Sequence, residues 1–188
     1  MMRLFVAVQL AAELQKKIAA FIGQNAPNAH GVKWIDSSQA HFTLFFLGEQ
    51  PERLVRDLDP FFKTIAAKQQ SFALSLGQGG VFPSWKAPRV LWLGVDQGQE
   101  HLGRLAAAIT EACVRCGLPK PDRPFAPHLT VGRVKTPSPT LNRAALMQGV
   151  TGEMVVDSFT LYASILRPQG PLYREIATYR LTKEQYNE

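Results

Sequence analysis

His41-Phe42-Thr43-Leu44 and His128-Leu129-Thr130-Val131 repeat one pattern, histidine–apolar–threonine–apolar, 87 positions apart. The 188-residue chain holds only four histidines, so composition alone gives little reason for the motif to recur. Each copy lies in an apolar run with period-two alternation, the mark of a half-buried strand. On such a strand His and Thr share one face, and the flanking apolar residues take the other. One motif strand in each half of the chain points to a duplicated lobe. Two similar sheets would face each other across a cleft, with helices on their outer sides and both motifs meeting between them.

The rest of the pattern is mixed α+β. Residues 3–10 read as a strand, and Leu14, Ile18, Phe21 and Ile22 form a helical stripe ending near Gly23. Residues 32–35 make a short extended piece, and the first motif strand, 41–47, is stopped by Gly48. An apolar stripe over 52–68 predicts a helix that Pro60 should kink or restart. Residues 71–76 and 89–95 read as strands joined by the Gly/Pro-rich connector Gly77 to Pro83. Leu102, Leu105, Ala106, Ile109, Ala112, Cys113 and Cys116 mark an amphipathic helix. The second motif strand spans 128–134, and Ser138-Pro139 suggests the cap and first turn of a short helix reaching about Leu146. Strand patterns at 153–165 and 172–181 finish the chain around the turn Arg167 to Pro171. No linker separates domains, so residues 1–188 are read as a single bilobal unit.

Composition removes several classes of function. At 46% hydrophobic residues the chain can bury a full core, yet no run approaches the roughly 18 apolar residues that span a bilayer. Phe5-Val6-Ala7-Val8 reads as a first strand rather than a signal segment, so a cytoplasmic protein is expected. The net charge of +6 is compatible with a polyanionic partner, although no basic block marks a tail that coats nucleic acid. Cys113 and Cys116 lack the further ligands a zinc site needs and read as small apolar residues at a helix end. Gly77-Gln78-Gly79-Gly80 is neither a P-loop nor a dinucleotide fingerprint. Acidic residues are scattered rather than clustered, so neither a metal nor a cofactor is expected.

Two imidazoles on rigid strands suit proton transfer on both sides of one small anionic centre. Histidine titrates near neutral pH, and a pair can activate a nucleophile and protonate a leaving oxygen in one displacement. A threonine on the same strand face can donate its hydroxyl to a non-bridging phosphate oxygen. A cyclic phosphodiester fits this machinery, because ring strain and a single negative charge leave little for a metal to do. His30, in a loop, and His101, near a helix start, lack the context and read as structural or solvated. Phe46 and Arg133 each lie five residues beyond a motif histidine and could clamp a nucleobase across the cleft. Strict alternation places an offset of five on the opposite strand face, so this needs a bulge; without one Phe46 belongs to the core.

These motifs resemble those of the 2H phosphoesterase superfamily, and within it the RNA 2′,3′-cyclic phosphodiesterases, also called 2′-5′ RNA ligases. The likeness covers nearly the whole chain. It takes in Arg3-Leu4-Phe5-Val6-Ala7, Trp34, and His41 through Gly48. It continues through Phe82-Pro83, Pro88 to Gly94, Phe125 to Arg133, and Ser164 to Tyr173. The resemblance implies a bilobal α+β fold with a pseudo-twofold axis, two antiparallel sheets and a metal-independent site in the central groove. It implies hydrolysis of RNA 2′,3′-cyclic phosphate ends, or of nucleoside 2′,3′-cyclic phosphates, at the 3′ bond to leave a 2′-phosphate. His41 would be the proton donor and His128 the acceptor, Thr43 and Thr130 would hold phosphate oxygens, and Arg133 would contact the substrate. A monomer is expected. The competing readings are 2′-5′ RNA joining or cleavage, and an RNA-end binding module that turns nothing over.

Overall fold

A computed structural model describes residues 1–136, 141–168 and 170–183. Its strands are β1 (Met2–Gln9), β2 (Val32–Trp34), β3 (His41–Gln50), β4 (Phe72–Phe82), β5 (Val90–Val95), β6 (Leu129–Val134), β7 (Glu153–Val156), β8 (Ser158–Arg167) and β9 (Gly170–Arg180). The helices are α1 (Ala12–Asn25), α2 (Arg53–Lys68), α3 (Gln99–Arg115) and α4 (Arg143–Gln148). Strand order is β7-β4-β5-β6-β3-β1-β8-β9, with β2 added beside β6. In each half a strand and a helix precede the motif strand, which then pairs antiparallel with that first strand: β1-α1-β3 in one, β5-α3-β6 in the other. The fold is α+β and bilobal, as the repeated motif suggests.

The two motif strands meet where β3 and β6 touch, at the single pair Phe42↔Leu129. His41 and Thr43 flank that pair on one strand, His128 and Thr130 on the other. Farther along, Gly132 to Val134 of β6 pair with β2 instead. The two motif strands therefore splay apart beyond the seam, and the sheet opens into a groove. Phe42 and Leu129 point away from it and are fully buried in the main core. Strand β1 is buried on both faces. Leu4, Val6 and Val8 join the main core, while Phe5 and Ala7 form a second cluster with Tyr162, against which Tyr173 packs.

Several elements depart from the sequence pattern for identifiable reasons. The Gly-rich connector is part of β4, because backbone and rings approach it too closely for a side chain. A Cβ on Gly79 would run into the Leu146 carbonyl, and one on Gly80 would lie 2.5 Å from the Trp92 ring. Gly48 does not end β3; with φ +74° it follows a bulge, and the strand runs on to Gln50. Helix α2 continues through Pro60, which is exposed together with Arg56, so water can take the carbonyl that the proline leaves unpaired. The run 153–165 breaks at Asp157, since β7 pairs with β4 in one half and β8 with β1 in the other. The cap of α4 is Asn142, whose side chain accepts from the Ala145 N–H. Ser138 and Pro139 lie outside the described residues.

The Phe42–Leu129 pair makes the seam a point of stability as well as of geometry. Truncating Leu129 to Ala removes a fully buried side chain where neither strand can readily collapse, and should cost about 3 kcal/mol. Urea denaturation measures this as a lowered midpoint; an unchanged midpoint would mean the halves are held together elsewhere.

Candidate active site

Bulges decide which side chains face the groove. Along β3 the register with β1 steps from Thr43 to Phe45 and from Phe46 to Gly48, so Leu44 and Leu47 are extra residues. The first of these resets the alternation. Phe46 is therefore 53% exposed rather than core, and the Arg3 guanidinium lies 4.9 Å from its ring centre. Strand β6 shows the same device: its register with β5 steps from Thr130 to Gly132, leaving Val131 over. That turns Arg133 onto the face that carries His128 and Thr130. The bulge required for a histidine and the residue five positions later to share a face is present in both lobes.

His41, Thr43, His128, Thr130 and Arg133 all line one cavity of about 730 Å³. Phe46 is not among its lining residues and lies outside it. The two imidazoles are held alike. Nδ1 of His41 lies 2.7 Å from the Gln39 carbonyl oxygen, and Nδ1 of His128 lies 2.7 Å from that of Ala126. A carbonyl oxygen only accepts, so each Nδ1 carries the proton and donates it, leaving Nε2 as the nitrogen available for chemistry. Each ring also meets an aromatic edge-on: Tyr173 at 5.2 Å and 87° for His41, Phe82 at 5.2 Å and 89° for His128. Phe5 adds a tilted contact to His41 at 5.0 Å, and Trp92 backs Phe82 at 5.1 Å.

Burial among these rings holds His41 below the ordinary histidine value; the Gln39 carbonyl pulls it partly back, and repulsion from His128 lowers it further. That repulsion is itself a sign that the imidazoles are close. Burial raises the Tyr173 phenol, while Arg133 and Arg3 draw it down, which places both guanidiniums near this tyrosine. Lys33, Lys135 and Arg167 add positive charge to the cavity wall, against the single carboxylate of Asp36.

The other candidates are elsewhere. His101 is exposed and stacks on Phe72, and His30 is exposed in its loop. Burial pushes the Cys113 thiol up to about 12 and raises Cys116 as well, so neither is a ready thiolate. Among the described residues, no three His, Cys, Asp or Glu side chains converge into a metal-binding group. Sequence reading missed the aromatic buttresses Phe5, Tyr173 and Phe82 and the basic wall. The carbonyls of Gln39 and Ala126 leave no trace in residue identity, since every residue has one.

A model of the 2′-5′ RNA ligase superfamily matches residues 7–165. The RNA 2′,3′-cyclic phosphodiesterase of Archaeoglobus fulgidus is 35% identical over 182 residues, covering 95% of this chain and 99% of that protein. The RNA 2′,3′-cyclic phosphodiesterase of Escherichia coli K12 is 30% identical over 181 residues, covering 96% and 97%. Among solved structures, TT0787 of Thermus thermophilus aligns with a TM-score of 0.84 and 31% identity, over 98% of this chain and 100% of that one. Escherichia coli LigT complexed with 3′-AMP aligns with a TM-score of 0.80 and 29% identity, over 96% and 98%. With two H-x-T-x strands joined at one seam, a shared groove and likeness along nearly its whole length, the chain belongs to the 2′-5′ RNA ligase superfamily.

Proposed function

We propose that the chain is an RNA 2′,3′-cyclic phosphodiesterase that hydrolyses the cyclic phosphate at its 3′ bond. The observation that carries this is the matched pair of imidazoles, each tied through Nδ1 to a carbonyl at 2.7 Å and each lining the same cavity with its threonine. The names of the relatives at 30–35% identity support the general activity, that of an RNA 2′,3′-cyclic phosphodiesterase.

In this reading Nε2 of His128 takes a proton from water, whose oxygen attacks phosphorus. The bond from phosphorus to O3′ breaks, and Nε2–H of His41 gives its proton to the departing oxygen. The product is a 2′-phosphomonoester with a free 3′-hydroxyl. Thr43 and Thr130 donate to the non-bridging oxygens, and Arg133 offsets their growing charge. These groups supply acid, base and anion stabilisation without calling on a metal. Phe46, capped by Arg3, offers an outer platform for a base rather than a wall of the cavity. The same displacement with a 5′-hydroxyl in place of water joins two RNA ends by a 2′-5′ bond, and its reverse exchanges the roles of the histidines.

His41→Ala and His128→Ala should each lower kcat/KM for a nucleoside 2′,3′-cyclic phosphate by about 10²–10⁴-fold, while chelator leaves the wild-type rate unchanged. Phosphorus NMR of the product should show a 2′-phosphate. Full activity in either variant removes that histidine from the mechanism, and an inert wild type that binds 2′-phosphate ends leaves the binding-module reading.

The pH profile tests which histidine is the acid. Burial holds His41 below 6.5 in the free enzyme. The imidazolium is therefore lost as pH rises through a value under 6.5, and kcat/KM should show a limb there that His41→Ala removes. A bound phosphate anion favours the imidazolium, so the same limb in kcat should move to higher pH. Coincident limbs in the two profiles would reassign the acid.

A further inference from the structure

A 2′,3′-cyclic phosphate ends its RNA strand, so the polymer leaves the catalytic cavity in the 5′ direction only. A second cavity, of about 950 Å³, lies beside the first, and Lys135 lines both. Its wall includes Trp85, Lys86, Arg89 and Arg143. No carboxylate lines it, and among the described residues none of Lys86, Arg89, Lys135 and Arg143 forms an ion pair with an acidic group. All four are exposed. The Arg143 guanidinium lies 4.7 Å from the ring centre of the half-buried Trp85.

Charge is distributed unevenly over the molecule. Of the 21 lysines and arginines, seven line these two cavities; among the described acidic residues, only Asp36 does. Seven cations against one carboxylate give the walls of these two cavities a charge of +6, as large as the net charge of the whole chain. Cations clustered in such excess repel one another, and a phosphate backbone relieves that repulsion. A basic groove with an aromatic ring and a guanidinium plane is the usual equipment for gripping a single strand, through phosphates and stacked bases together.

We propose that the second cavity is a single-stranded RNA subsite for nucleotides upstream of the reacting end. Phosphates lie against Lys135, Arg89 and Lys86, and a base stacks on the Arg143–Trp85 pair. The inference rests on the first cavity being the site for a cyclic phosphate end. Strand β6 advances about 3.3 Å per residue, so Lys135 sits about 20 Å along the chain from His128, a span of about six stacked nucleotides at 3.4 Å each. The preferred substrate is then an RNA strand rather than a mononucleotide.

Oligonucleotides of one, three, six and nine residues, each ending in a 2′,3′-cyclic phosphate, test this. KM should fall at least tenfold from one residue to six and level off by nine, with kcat nearly constant and a steeper salt dependence for the longer substrates. Arg143→Ala, and Lys86→Ala with Arg89→Ala, should each raise KM for the six-residue substrate by about 5- to 30-fold. Turnover of the mononucleotide should stay unchanged in these variants, which also shows that they fold. A KM independent of length, with normal mononucleotide turnover, overturns the subsite and leaves the catalytic reading intact. So does an equal gain for a duplex carrying the same end. If the wild type turns over no substrate, the catalytic reading fails instead. Anisotropy of a labelled six-residue strand with a 2′-phosphate end then decides the subsite: weaker binding by the variants supports it, and equal binding refutes it.

Discussion

A single antiparallel contact, Phe42 opposite Leu129, is where the two motif strands of this molecule join in one sheet. Continued pairing of β3 with β6 would give a closed, featureless surface. Instead β2 takes the edge of β6 from Gly132 onward, so the motif strands can only diverge. Divergence opens a groove while the apolar side chains of both strands stay packed in the core behind it. The chemistry then follows from a parity rule. With Phe42 and Leu129 turned inward, the residues on either side of them, two histidines and two threonines, must all face the groove.

Each imidazole is fixed by the same two devices, a carbonyl on its own chain two residues back and an aromatic edge from a neighbouring strand. The carbonyl selects the tautomer, and the aromatic edge limits rotation of the ring. Such preorganisation costs nothing at the moment of reaction, because no dipole has to turn. The symmetry is incomplete. Phe5 and the small apolar cluster around it pack against His41, and burial there disfavours its imidazolium in the free enzyme.

Around this centre the charges are sorted. Elsewhere the ion pairs among the described residues are largely exposed contacts, four of them within one helical turn, and contacts like these add little stability. The cations that line the groove and its neighbouring cavity outnumber the one carboxylate on either wall, that of Asp36. A fold stabilised by apolar packing can carry this local excess, since those cationic side chains are exposed to water.

Much of this was legible in the order of residues. The repeated His-x-Thr strand, period-two alternation and the helical stripes are local properties of a chain, and they carried the α+β class, the two lobes and the pairing of His41, Thr43, His128 and Thr130. Tertiary structure decided what depends on a neighbouring strand. The bulges at Leu44 and Val131 arise from register between strands, and they put Phe46 outside the core and Arg133 into the cavity. Gly79 and Gly80 look like a loop because glycine is a local breaker, yet the Leu146 carbonyl and the Trp92 ring demand glycine within a strand. The split at Asp157 and the aromatic rings around each histidine likewise depend on residues distant in sequence. Periodicity along one strand records which face is buried, and it holds no record of what packs across the gap.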